Sequence, residues 1–288
     1  MSLPGIGVVI LTMGKRPEDL HRAIQSVLDQ RDVETDVVVV GNGWDPVGLP
    51  DGVRAHGLAE NLGIPAGRNA GADLVSGEIL FFLDDDAWLP DPHFLHAAVE
   101  RFMHQPRLGL IQPRVVDPSG KPAPGRWVPR LRTGDPAVSG PATSLWEGAT
   151  VIRRSVFDSA GGWPAEFFYA HEGIDLVWRV WDAGYIAWYA AELVVYHPVI
   201  NPLRHEEFYR MNARNRVWLA RRNLPKVLEP LYVGTWMGIT VARVHDRDAL
   251  RAWFAGVREG IEVSPAERRP MRWSTVWQMT KAGRPPVI

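Results

Sequence analysis

The chain has 288 residues, 46% hydrophobic and 23% charged, and its 32 basic and 33 acidic side chains leave a formal net charge of -1. Such a chain can bury a full core as one large domain or as a domain with an appended lobe. The charge balance excludes a protein that holds nucleic acid chiefly by neutralising phosphates. The absence of cysteine excludes a disulfide scaffold, a thiolate metal centre and a cysteine nucleophile.

Gly7 to Leu11, GVVIL, is a short β-branched run suited to a strand buried on both faces. It lacks the preceding basic region of a signal peptide. No segment of the chain approaches the ~18 uninterrupted apolar residues of a membrane span, so a cytoplasmic protein is expected. A helix follows the first strand. Pro17 suits its first turn, Glu18 and Asp19 favour the positive end of its dipole, and Leu20, Ala23, Ile24, Val27 and Leu28 recur at helical spacing. DVVVVGNG, from Asp36, predicts a second buried strand closed by glycine turn chemistry, and two such units in succession predict a parallel sheet. After a loop, NLGIPAGRNAGADLVSG is a glycine-punctuated entry to a small helix, and EILFFL is the next central strand.

That strand runs into Asp84, Asp85 and Asp86, at the edge where α/β sheets present ligands. Three like charges there raise one another's pKa unless a divalent cation, a cationic ligand or solvent offsets them. An oxygen-rich site suits Mg²⁺ or Mn²⁺. The plainer alternative is a turn with capping aspartates before the helical PDPHFLHAAVERF, and Asp91, preceding Pro92, is assigned that capping role.

In the second half, LWEGATVIRRSVFDSAGGW opens with a tight turn at Gly148 and Ala149 that lets a ligand approach the backbone, then continues as a strand, TVIRR, and a short helix. Trp146 offers a ring either to a ligand or to the core. In FFYAHEGIDLVWRVWDAGY, Leu176, Val180 and Ala183 form a helical apolar stripe, Asp182 and Gly184 end it, and Glu172 and Asp175 lie at its start. Arg179 on this helix is expected in a buried salt bridge. His197 closes ELVVYHP at a strand terminus. From Leu224 the sequence turns aromatic and helical in period. This tail either packs across the preceding domain or bridges a homodimer, or else it lies on an anionic membrane surface as an amphipathic segment.

The ordered segments VVILTMGKRPEDLHRAIQSVLDQ, VVVVGNG, NLGIPAGRNAG, GEILFFLDDDAWLPDPHFL, EGATVIRRSVFDSAGGWPAEFFYAHEGIDLVWRVWDAGY and VVYHP together resemble glycosyltransferase family 2, over roughly residues 6 to 222. The resemblance implies an α/β, GT-A (Rossmann-like) fold whose mixed, mostly parallel sheet is flanked by helices. It implies a catalytic domain over 1–222, with a nucleotide-sugar half at 1–90 and an acceptor and catalytic-base half at 91–222, followed by a helical C-terminal extension over 223–288. The activity implied is metal-dependent, inverting transfer of a sugar from a nucleotide-diphosphate sugar to a saccharide, lipid-linked or small-molecule acceptor, with Mn²⁺ or Mg²⁺ as cofactor.

Carried onto this chain, the resemblance assigns Thr12, Arg16, Asn42, Arg68, Asp84 and Asp85 to the donor nucleotide, with pairing to the aspartates as the alternative for Arg68. It assigns Asp86, Asp84 and His197 to the metal, and Trp146, Gly148 and His171 to the acceptor side. Arg214 and Arg216, in NARNRVWLARRNLP, either reach phosphate or form a solvated basic face.

Two positions depart from the family pattern. Gly41 stands where an aspartate is usual, which leaves UDP, dTDP and GDP donors open. Gly173 stands at the second place of the usual EDxDL segment, where the common base sits, so Glu172 is the expected general base and Asp175 the reserve. These departures keep alive a catalytically inactive nucleotide-sugar or glycan-binding protein of the same fold. A sugar-nucleotide nucleotidyltransferase is a further rival, for which LTMGKRPEDL carries too few glycines. A nucleic-acid partner is not expected, whereas peripheral contact with the inner face of a membrane is compatible with the tail.

Overall fold

The computed structural model describes residues 4–129, 135–199, 206–265 and 267–288. The first apolar run forms β1 (Ile6–Thr12), followed by α1 (Pro17–Leu28) and β2 (Thr35–Asn42). Proline opens α1 at its first turn, and Leu20, Ala23, Ile24 and Val27 are its buried face, as the spacing predicts. A strand absent from the sequence reading, β3 (Val53–Leu58), comes next, then α2 (Ile64–Ala72), β4 (Ile79–Asp84) and α3 (Phe94–His104). Another unread strand, β5 (Leu108–Val116), precedes the two-residue β6 (Gly140–Pro141). The chain continues through β7 (Ala149–Arg153), α4 (Arg154–Ala160), α5 (Glu172–Asp182) and β8 (Ile186–Tyr196). The helices α6 (Glu206–Asn223), α7 (Glu229–Arg243), α8 (Arg247–Glu262) and α9 (Trp273–Lys281) complete it.

All eight strands join one sheet in the order β3-β2-β1-β4-β7-β5-β8-β6. The central strands read as unbroken apolar runs because both faces are covered. Val9, Val38, Val40, Leu80 and Phe82 face one core, and Val8, Ile10, Val37, Val39, Phe81 and Leu83 face the other, with the period of two that a pleat imposes.

Strand direction determines what meets at the sheet's edge. β1 pairs parallel with β2 and β4, while β7 runs antiparallel to both β4 and β5, and β5 pairs parallel with β8. The carboxyl ends of β1, β2, β4 and β8 therefore share one edge, and β7, reversed like the short β6, brings its own amino end there too. Leu83 is opposite Ala149, and Asp84 N donates to Gly148 O at 2.8 Å. The aspartates after β4, His197 after β8 and the Trp146–Gly148 turn before β7 are neighbours for this reason.

The tail packs back onto the rest of the chain. Tyr232, Met271 and Met279 are buried in the same core as Trp178 and Leu176 of α5, and the rings of Trp178 and Tyr232 meet edge to face at 5.8 Å. α8 lies close against α6 because Gly256 and Gly260, one turn apart, present bare backbone to it. A Cβ at Gly256 would come 2.0 Å from Arg210 O, and one at Gly260 2.8 Å from Val217 Cβ. Among the described residues no helix is long and apolar enough to cross a membrane.

Candidate active site

Each of the three aspartates is paired with a cationic side chain, Asp85 and Asp86 sharing Arg16. Asp84 pairs with Arg68 Nη2 at 2.6 Å, Asp85 with Arg16 Nη2 at 2.6 Å, and Asp86 with Arg16 Nη1 and with His197 Nε2, the latter at 3.2 Å. Thr12 Oγ1 donates to Asp85 at 2.7 Å. Burial pushes the Asp85 carboxyl up to about 6 against these partners. Burial works against the Asp86 charge as well, but His197 and Arg16 hold it below the usual carboxylate range, and Asp86 in turn raises His197. Asp84, Asp86 and His197 each offer one ligand atom, all within 4.8 Å of one another. Two carboxylate oxygens and an imidazole nitrogen at this spacing form a donor set suited to a divalent cation.

A cleft of about 520 Å³ opens beside this cluster, lined by Leu11, Thr12, Arg16, Asn42, Asp84 and Phe168 among others. Asn42 braces its wall: Oδ1 accepts from Leu62 N at 2.8 Å and Nδ2 donates to Gly63 O at 3.2 Å. Phe168 and Tyr169 line the cleft from the segment before α5, where Phe168, Ala170 and His171 take positive-φ backbone at 63, 72 and 70°. Such conformations cost of order 1 kcal/mol or more each and persist only where the surroundings enforce them. Asn215 of α6 does so here, donating from Nδ2 to the carbonyls of Phe167, Tyr169 and Ala170 at 2.9, 2.7 and 2.9 Å.

Past the aspartates, a pair of carboxylates faces the Asp84–Arg68 ion pair. Glu172, the first residue of α5, is 2% exposed and its Oε2 has no hydrogen-bond partner. Burial, then the neighbouring Glu147 charge, pushes it up to about 8. Glu147, on the turn before β7, is partly exposed, accepts from Gly173 N at 3.0 Å through Oε1, and is raised by burial too. The Glu147 charge therefore disfavours ionisation of Glu172. Glu147 lies inside the quoted LWEGAT segment yet has no role in the sequence reading. Its partner Gly173 is 26 residues further on, and only the reversed direction of β7 joins them.

Other sequence expectations meet a different geometry. Asp175 is fully buried: Arg222 Nε and Asn223 Nδ2 donate to its Oδ1 at 3.1 and 2.6 Å, and Arg179 Nε lies 3.1 Å from Oδ2, the salt bridge expected of Arg179. This is an ion cluster inside the fold, out of reach of the cleft. Arg68 is 2% exposed, stacked over Trp163 at 5.0 Å and locked to Asp84, so of its two readings the pairing with the aspartates is the observed one.

The bare face of Gly148 does not admit a ligand, because a Cβ there would lie 2.2 Å from the Trp146 ring and 2.7 Å from Asp84 Oδ2. Trp146 itself is half-buried against Trp127 and His197, at 5.7 and 5.0 Å between ring centroids. His171 is buried, which holds its imidazole well below the usual range, with its Nε2 unpartnered. Arg214 lies over Trp218 and donates to Phe167 O at 3.1 Å, and Arg216 lies over Trp236 and donates to the Tyr232 hydroxyl at 3.2 Å, so neither forms a solvated basic face. Asp91 accepts from His93 N at 2.9 Å two residues before the cap of α3, an Asx turn into the helix in place of the cap itself.

A mixed, mostly parallel sheet flanked by helices, with an acidic cluster at the carboxyl end of a central strand, defines a GT-A arrangement. Solved structures agree in fold. A mannosyltransferase, PcManGT from Pyrobaculum calidifontis in complex with GDP-Man and Mn²⁺, superposes with a TM-score of 0.58 at 15% identity over 90% of this chain and 84% of that one. S. aureus TarS (residues 1–349) in complex with UDP-GlcNAc does so with a TM-score of 0.63 at 13% identity over 90% and 81%.

The model of glycosyl transferase family 2 matches residues 8–161, more than half of the chain, and the chain belongs to that family. It is also 30% identical over 120 residues to the glucosyl-dolichyl phosphate glucuronosyltransferase of Haloferax volcanii, a match that spans 38% of each protein.

Proposed function

We propose that the chain is a metal-dependent glycosyltransferase that moves a sugar, with inversion, from a nucleotide-diphosphate sugar to a hydroxyl of a saccharide, lipid-linked or small-molecule acceptor. The observation that carries this reading is the Asp84, Asp86 and His197 cluster beside the 520 Å³ cleft. The ligands named for the similar structures, GDP-Man with Mn²⁺ and UDP-GlcNAc, support the same direction. The dolichyl-phosphate-linked substrate in the relative's name supports keeping lipid-linked acceptors within the class.

Asp84, Asp86 and His197 would hold Mn²⁺ or Mg²⁺, which when bound offsets the charge gathering on the departing diphosphate. Thr12, Arg16 and Asn42 line the nucleotide side. Asp85, tied to Thr12 and Arg16, fixes the orientation of both, and the buried Arg68 holds Asp84 from behind. Trp146 and His171 border the acceptor side. The carboxylate pair beside Asp84 removes the acceptor's proton as its oxygen attacks, the work of a general base. The reading assigns the chain to the cytoplasm, with the exposed Trp273 and Trp277 of the tail available to the inner face of a membrane.

Calorimetry with UDP, GDP and dTDP, each in Mn²⁺ and in EDTA, tests the reading, together with release of free sugar from a panel of nucleotide-sugars. Binding of at least one nucleotide should strengthen in Mn²⁺, and Asp86→Ala and His197→Ala should each remove that gain. Equal affinity in Mn²⁺ and EDTA for every nucleotide, with no donor turned over, would overturn it.

A further inference from the structure

α5 begins with a gap. Gly173 sits in its first turn. The space that a side chain would occupy is already filled: a Cβ on Gly173 would meet Glu147 Cγ and Oε1 at 2.6 Å and Cδ at 2.8 Å. The Glu147 carboxylate therefore stands where a side chain of residue 173 would stand. It enters from the turn before β7 instead of from the helix, and the Gly173 N–H fixes its Oε1 at 3.0 Å. Asp84 and Arg68 lie within electrostatic reach of it.

Three carboxylates surround this turn, and their exposure separates them. Asp175 is fully buried in its ion cluster and Glu172 is 2% exposed, whereas Glu147 keeps part of its surface open. A group that takes a proton from an incoming hydroxyl has to be reached by that hydroxyl, within about 2.6–3.2 Å between heavy atoms. Of the three, Glu147 alone keeps exposed surface from which a hydroxyl can approach.

We propose that Glu147 is the general base of the transfer reaction, its carboxylate occupying the space left by Gly173, with Glu172 behind it as a positioning residue. The proposal rests on the glycosyl-transfer reading above. In the step it describes, the acceptor O–H bond breaks and its proton passes to the Glu147 carboxylate. The acceptor oxygen forms a bond to the anomeric carbon, and the bond from that carbon to the diphosphate oxygen breaks, its electron pair leaving with the nucleoside diphosphate. The proton then passes from Glu147 to solvent.

The test uses the full chain, whichever nucleotide-sugar the wild type hydrolyses, and sodium azide as a second nucleophile. Azide is already an anion and needs no proton removed, whereas attacking water does. Glu147→Gln should lower hydrolysis roughly 10²-fold or more, while retaining glycosyl azide formation and wild-type nucleotide affinity. The double variant Glu147→Ala, Gly173→Asp returns a carboxylate to the same space from the helix side and should recover hydrolysis relative to Glu147→Ala alone.

Wild-type hydrolysis by Glu147→Gln overturns the assignment, as does parallel loss of hydrolysis, azide transfer and nucleotide affinity, which would make Glu147 part of the donor site. A wild-type chain that binds and turns over no donor removes the transfer reading, and this one with it. Turnover by the wild type with an unaffected Glu147→Gln removes this one alone.

Discussion

Asp175 offers the sharpest separation between folding and chemistry, because by sequence it is a candidate base and by structure it is the centre of a buried ion cluster. Its carboxylate faces Arg222 and Arg179, each at 3.1 Å, and Asn223 at 2.6 Å, and it has no exposed surface. Removing one partner of a buried ion pair leaves the others desolvated and uncompensated, a loss of about 3–5 kcal/mol. The cluster blunts that cost unevenly. Arg222 keeps Glu166, and Arg179 keeps the half-exposed Glu267 at 3.2 Å, so Asp175→Asn, which preserves volume and one acceptor, belongs at the lower end and Asp175→Ala at the upper. With an unfolding entropy of about 2.1 cal/mol/K per residue, a chain of this length has about 0.6 kcal/mol/K at its midpoint, so the expected fall in Tm is about 5–8 °C. Thermal and urea unfolding followed by tryptophan fluorescence would measure it, with donor hydrolysis assayed well below the midpoint, where the folded variant should retain turnover within about threefold of wild type because no reacting group has been touched. A variant with the wild-type Tm and no turnover would refute the structural role and return Asp175 to the reaction.

Glu172 should leave a signature in the pH dependence of stability. Its folded-state value of about 8 lies above the ordinary 4.5, so between these limits the folded chain holds a proton that the unfolded chain releases. Stability then falls as pH rises, by up to about 1.4 kcal/mol per pH unit, and Glu172→Gln should flatten that slope in a series of urea midpoints. An unchanged slope in the variant would mean that Glu172 is not the group holding the proton. Gly41→Asp, which restores the residue usual in the family, should harm this chain. A Cβ at position 41 would come 1.9 Å from Trp44 O and 2.9 Å from Pro46 Cδ. Overpacking of that kind costs about 1–3 kcal/mol, and displacing the turn beside Asn42 should weaken nucleotide binding as well. Wild-type Tm and nucleotide affinity in this variant would show that the turn can move aside freely.

What the sequence made legible follows from where the physical signal is local. β1, β2 and β4 are covered on both faces and so appear as continuous apolar runs, and the aspartates were found because they stand at the end of one of them. β3 escaped notice because it pairs only with β2, as an outer strand, and carries half-exposed residues such as Arg54 and His56. β5 is interrupted by Pro113, where its register with β8 shifts, and proline argues against a strand when only composition is read. Glu172 and Asp175 both lie at the start of a helix, as expected, but Asp175 is enclosed by Arg222 and Asn223 of α6, which lie more than 40 residues away.

Gly41 and Gly173 are departures of the same kind, and different atoms fill the space that each leaves. At Gly41 the missing side chain makes room for the Trp44 backbone, and the Asp45 carboxylate packs on Gly57, its register partner on β3. At Gly173 the missing side chain makes room for another carboxylate, delivered by the turn before a strand that runs against its neighbours. A glycine in the first turn of a helix leaves open what fills the space of its missing side chain. The sequence offers that question at Gly173, but the answer lies in the direction of β7, which no local pattern records. A motif position that has lost its acid is therefore no evidence of lost chemistry until the atoms packed against it are known.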